Sequence, residues 1–179
     1  MRLDIIETAR LSDETAAALR ALSAAVYPPT PRADNAPSRQ EWAPPQWSVM
    51  IRDLDQQLVS HVGVLTRLGL CDDKAILIGG IGGVKTHPSQ RGKGYAGAGL
   101  RRAIEFLQGE MAVDMSLLFC GPRMRGYYQR FGFGSFLGDN TLARQDGAKI
   151  LFPRDEVMVK PAVKSLPKCA ALDLCGLPW

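Results

Sequence analysis

Apolar residues recur along this chain in two periods, and the switches between them mark out its elements. Leu3 and Ile5, with Ile6 beside them, predict a first strand over about residues 2–9. Ser12 followed by Asp13 and Glu14 has the form of a helix N-cap with acids in the first turn. Leu19, Leu22 and Val26 then fall on one helical face, and Pro28-Pro29 stops the helix. Trp47–Arg52, Leu58–Leu68 and Ala75–Thr86 read as three antiparallel strands of a meander, parted by polar turns at Asp53–Gln57 and Leu70–Lys74. Leu100, Ala103, Ile104 and Leu107 repeat at helical spacing, with Arg101, Arg102, Glu105 and Gln108 outward and Gly109 at the end. Met115–Cys120 is a compact apolar run suited to a buried strand. Pro122 fits the start of another helix through about Arg130, with Gly132 as its C-cap. Ile150–Phe152 and Glu156–Val159 predict two further strands.

This mixture predicts an α/β (α+β) domain, and 179 residues suit a single one spanning 1–179. Six prolines crowd residues 28–46, and so long a connection in a compact domain is usually a binding loop or lid. Trp42 and Trp47 stand in and beside it, either as plugs over the core or as substrate contacts. The tail 161–179 is punctuated by prolines and ends on Trp179. A net charge of +4 would help attract a polyanionic ligand, but no long basic run argues for nucleic acid. The four cysteines lack metal-binding spacing and histidine partners, so no metal site is expected. Acidic residues stand where a signal peptide would be apolar, and no apolar run approaches ~20 residues, so a cytoplasmic protein without a membrane partner is expected.

Chemistry concentrates between Ile78 and Leu100. A glycine-interrupted strand ends near Thr86, a turn follows at His87-Pro88-Ser89, and a basic glycine loop then leads into a helix. Glycines alternating with Lys and Arg ahead of a helix leave backbone N–H groups free to hold phosphate oxygens. A Walker-type loop is excluded, because Lys93 is followed by Gly94 and Tyr95 rather than by a hydroxyl for magnesium. Gly92, Gly94 and Gly97 match a dinucleotide fingerprint in letters, but that fingerprint joins the first strand and helix of repeated parallel units, and here a meander precedes it.

A third reading fits better. Arg91-Gly92-Lys93-Gly94-Tyr95-Ala96 resembles the pyrophosphate loop of the GNAT N-acetyltransferase superfamily, Q/R-x-x-G-x-G/A. Downstream, Tyr127-Tyr128-Gln129-Arg130-Phe131-Gly132-Phe133 is similar to the aromatic-Tyr-x-x-x-Gly-Phe signature that follows in the same superfamily. The resemblance covers residues 47–135 well. It implies a mixed, mostly antiparallel central sheet flanked by helices, with a parallel strand pair splayed apart at the cofactor. It further implies acetyl-CoA as cofactor, held at its diphosphate by Arg91, Gly92, Lys93, Gly94, Tyr95 and Ala96 and along its pantetheine by backbone at Val84, Lys85 and Thr86. Tyr128 matches the position that protonates the departing thiolate, and a phenol of ordinary pKa near ~10 keeps its proton at neutral pH.

Within the superfamily the chain looks most like the aminoglycoside 2′-N-acetyltransferases. Glu41-Trp42 resembles an acidic-Trp pair before their second strand, Ser60-His61 an Ala-His pair in the third, and Trp179 a terminal tryptophan near the acceptor. The resemblance thus implies Glu41, Trp42 and Trp179 as acceptor contacts, a small-molecule amine as substrate, and a homodimer within the family's range. Gly82 departs from it, standing where many relatives carry the glutamate that deprotonates the amine. Glu41, His61, His87 or a water relay remain as candidate bases. Cys120 has no visible base partner, which favours direct transfer over an acyl-enzyme. The alternative is an acyl-CoA-binding module without catalysis.

Overall fold

The computed structural model describes residues 1–28, 41–145, 148–152, 156–162 and 169–179. Most of the proline-rich stretch, residues 29–40, and tail residues 163–168 lie outside the described residues. The strands are β1 (Arg2–Glu7), β2 (Trp47–Arg52), β3 (Leu58–Cys71), β4 (Lys74–Thr86), β5 (Met115–Phe119), β6 (Gly134–Ser135), β7 (Asn140–Gln145), β8 (Ala148–Phe152), β9 (Val157–Pro161) and β10 (Ala171–Asp173). Among the described residues they form one sheet in the order β6-β9-β5-β4-β3-β10-β7-β8, with β2 and then β1 also attached to β3. The pairs β4/β5 and β10/β7 run parallel and the other pairs antiparallel.

The helices follow from local chemistry. Helix α1 (Asp13–Val26) is capped by Ser12, whose Oγ accepts from the Thr15 N–H at 3.2 Å. Helix α2 (Tyr95–Glu105) carries the chain from β4 to β5 and runs on through a π-type turn at Phe106–Glu110, one residue beyond the expected stop at Gly109. Helix α3 (Arg125–Gln129) follows a 3-10 turn begun by Pro122, and Gly132 beyond it has a φ of +84°. No helix among the described residues is long and apolar enough to cross a membrane.

Two cores sit on the two faces of the sheet. Under α2 lie Val49, Ile51, Val62, Ile81, Leu100 and Leu107. Gly99 brings that helix close, since a Cβ there would stand 2.8 Å from Ile51 Cδ1. The opposite face gathers Leu65, Ile78, Leu117, Leu172, Leu174 and Trp179, and α1 lies on this side over the far end of β4. One irregularity matters for the site. His61 pairs with Lys85 but Gly63 with Gly82, so β4 holds one extra residue there, and Gly83 takes it up with a φ of +56°. The bulge keeps Val84 on the α2 face and turns Lys85 toward α1.

Candidate active site

The parallel pair at the centre of the sheet comes apart. Its pairing ends at Ile81 opposite Leu118. Beyond that point β5 is held by β9, with Phe119 opposite Val157 and the Cys120 N–H donating to the Glu156 carbonyl at 2.9 Å. β4 continues to Thr86 against β3. The edge of β4 from Gly82 to Thr86 that faces β5 therefore has no strand partner among the described residues, and its backbone groups are open to an extended ligand.

The basic loop stands at the mouth of this parting. Gly92 and Gly94 have φ values of +79° and +82°, and a Cβ on either would meet nothing within 4 Å. These glycines thus serve the backbone turn rather than crowding. Gly94 is the N-cap of α2 and offers no side chain to it, so the first-turn N–H groups carry no capping side chain. Arg91 Nε donates to the Thr86 carbonyl at 3.4 Å and Lys93 Nζ to Gln90 Oε1 at 2.7 Å, which ties both side chains to the loop. Uncapped amides, two cations and an open strand edge in a row form a donor set that fits a diphosphate followed by an amide-bearing arm.

Tyr128 is buried on α3, edge-on to Tyr127 at 5.2 Å and to Phe133 at 6.4 Å between ring centroids. Burial pushes its phenol above the ordinary value, and Cys120, Tyr127 and Tyr27 push the same way. Those neighbours set the ring between the end of β5 and the end of α1. Burial also raises the Cys120 thiol, with Glu156 adding to the rise and Arg125 opposing it, so the thiol stays protonated and is a weak nucleophile.

On the other face of β4 a cavity of about 1160 Å³ opens beneath α1. Gly80, Gly82 and Gly83 form its floor, Trp42, Phe119 and Trp179 one wall, and Leu19 and Ser23 of α1 with Tyr27 just beyond its end the other. Trp179 packs flat over the glycines: a Cβ on Gly80 would stand 2.3 Å from its Cε2. Its Nε1 donates to the Leu117 carbonyl at 3.1 Å, and Arg67 lies 5.5 Å from the ring centroid. Trp42 meets Phe119 edge-on at 6.0 Å and is 51% exposed, so it sits on the rim.

The sequence-predicted acceptor contacts thus divide. Trp42 and Trp179 line the cavity; Glu41 does not, being exposed with its N–H donating to Gln145 Oε1 at 3.2 Å. Trp47 packs on Phe106 at 5.3 Å in the α2 core, a plug rather than a contact. Among the expected cofactor residues, Lys85 departs from the rest. Its side chain turns away from the parting into the cavity, where Nζ donates to Ser23 Oγ at 2.8 Å. The sequence reading placed Lys85 by its backbone alone, and the bulge at Gly83 decides its side chain's direction. The paired Gly82-Gly83 was the available signal.

His61 also lines the cavity and is buried, with Nδ1 3.3 Å from the Gly83 carbonyl and Nε2 3.2 Å from Ser48 Oγ. Burial first, and then Lys85, lower its pKa to about 4, so it is neutral and a poor base near pH 7. His87 sits in the turn before the loop with Nδ1 2.8 Å from Ser89 Oγ.

An acetyltransferase (GNAT) domain model matches residues 7–136, most of the chain. The protein belongs to the GNAT acetyltransferase family. Solved structures carry the same fold at low identity. Escherichia coli ElaA is 19% identical, with a TM-score of 0.61 over 89% of this chain and 98% of that one. Escherichia coli YhbS, solved in complex with CoA, is 13% identical with a TM-score of 0.63 over 99% of this chain and 96% of its own. A Brucella melitensis GNAT acetyltransferase, solved with acetyl-CoA, is 18% identical with a TM-score of 0.59 over 94% and 93%. A search of curated protein sequences gave no match.

Proposed function

We propose that this GNAT-family chain is an acetyl-CoA-dependent N-acetyltransferase that acetylates a primary amine of a small molecule by direct attack. The observation that carries the reading is the parting of β4 and β5 between the uncapped loop Arg91–Ala96 and Tyr128. Bound CoA and acetyl-CoA in the YhbS and Brucella structures support the choice of ligand. In this reading the amides from Gly92 to Ala96, with Arg91 and Lys93, hold the diphosphate, and the backbone of Val84, Lys85 and Thr86 holds the pantetheine arm.

Acetyl-CoA supplies an acetyl group already activated as a thioester. Tyr128 Oη keeps its proton across the neutral range and hands it to the departing sulfur. A backbone N–H on the open edge of β4 steadies the carbonyl oxygen as charge builds on it. The protonated Cys120 thiol is a poor nucleophile, which favours direct attack over an acyl-enzyme. No acidic side chain lines the cavity among the described residues, and His61 is too weak a base, so the amine must arrive neutral.

The test begins with thermal shift against CoA and NADH, followed by thiol release from acetyl-CoA with a panel of primary amines. CoA should stabilise the protein and at least one amine should release thiol. Stabilisation by NADH alone would overturn the cofactor, and CoA binding without turnover on any amine would leave a binding module.

A further inference from the structure

The charged side chains that line the acceptor cavity are of one sign. Its charged side chains among the described residues are Lys85 and Arg20, and no Asp or Glu joins them in the lining. Lys85 is partly buried, and among the described residues it meets a hydroxyl, Ser23 Oγ, rather than a carboxylate. A half-desolvated ammonium without a counter-ion is costly, and an anion delivered by a ligand would offset that cost. Across the cavity from α1, Trp42, Phe119 and Trp179 offer an aromatic wall.

We infer that the acceptor is an amphipathic amine of amino-acid size bearing a carboxylate, with Lys85 taking the carboxylate and the Trp42–Phe119–Trp179 wall taking an aromatic or branched apolar group. This rests on the acetyl-transfer reading above and narrows its substrate. Lys85 and Arg20 disfavour an ammonium beside them, so the acceptor's nitrogen is the group that gives up its charge in the cavity. That supplies what the glycine at position 82 withholds. The neutral nitrogen bonds to the acetyl carbon as the carbon–sulfur bond breaks. It then releases one proton while the departing sulfur takes one up, leaving an amide and a free thiol. A polycation such as an aminoglycoside offers Lys85 no carboxylate and is disfavoured on the same grounds.

The full chain is assayed for thiol release with L-phenylalanine, L-leucine, L-phenylalaninamide and kanamycin, with CoA thermal shift run in parallel. A charge-assisted contact of this kind predicts kcat/KM about tenfold or more higher for phenylalanine than for its amide. Lys85→Met should remove that preference by raising KM for the amino acid well beyond any change for the amide, whereas Lys85→Arg should retain it. The CoA shift should be the same in all three proteins, which also reports that the variants fold. Amide or kanamycin turned over as well as the amino acids would overturn the inference while leaving acetyl transfer intact. So would CoA binding with no amino acid acetylated, or equal losses on both substrates in Lys85→Met. Loss of the CoA shift in the wild-type chain would instead count against the acetyl-transfer reading itself.

Discussion

The two sides of β4 are assembled in different ways. Toward β5, the proposed cofactor side comes from one stretch of chain, β4 through α2 to β5, and the groups proposed to work there are backbone amides set by glycines at positive φ. Toward α1, the cavity is put together from side chains far apart in sequence: Leu19, Trp42, His61, Lys85, Phe119 and Trp179. A backbone site tolerates wide change in side chains as long as its turns survive. A side-chain site changes its ligand with each substitution, so one fold can keep its cofactor while exchanging its acceptor.

Perturbing each side separately should expose this contrast. Tyr128→Phe, where the two sides meet, should lower kcat by about a hundredfold or more at neutral pH with little change in KM. Steady-state rates check this, and full activity in the variant would remove the acid role. His61 ties the acceptor side to pH. Its folded-state pKa of about 4 lies below the ordinary 6.5, so stability is full above pH 6.5 and falls as the pH drops toward 4, where the unfolded chain takes the proton first. The loss should be on the order of 3 kcal/mol in urea titrations, and His61→Gln should flatten the curve. Gly80→Ala would drive a methyl into the Trp179 ring. It should cost about 1–3 kcal/mol of stability and weaken acceptor use, with CoA affinity held. Lys93→Ala, on the exposed cofactor loop, should weaken CoA binding by only a few-fold at low salt and by less at high salt, as followed by calorimetry.

The same contrast decided what could be read in the sequence. The strands from Trp47 to Thr86 were legible because alternating side chains and polar turns are local signals, and the loop from Arg91 to Ala96 because glycine beside cations has few uses. The strands β7 and β10 were not, since Asn140–Gln145 is only partly apolar and Ala171–Asp173 has three residues whose pairing comes from β3 and β7. The separation of Glu41 from Trp42 was equally hidden, because adjacent residues in an irregular segment carry no periodicity to assign their sides. The direction of the Lys85 side chain was hidden as well, because a single extra residue at Gly83 resets the alternation.

The bond from Arg67 Nη1 to the Leu177 carbonyl, 2.6 Å long, spans 110 positions of chain, and the Trp179 bond to Leu117 spans 62. Closing loops of that length costs entropy that the hairpins and the β4-α2-β5 unit do not incur. Assembly is therefore expected to run from the middle of the chain outward, with the tail docking last. A refolding molecule would pass through a stage that already has its proposed cofactor loop while its aromatic wall is absent, and residues 169–179 should exchange amide hydrogens sooner than β3 and β4 in the finished protein.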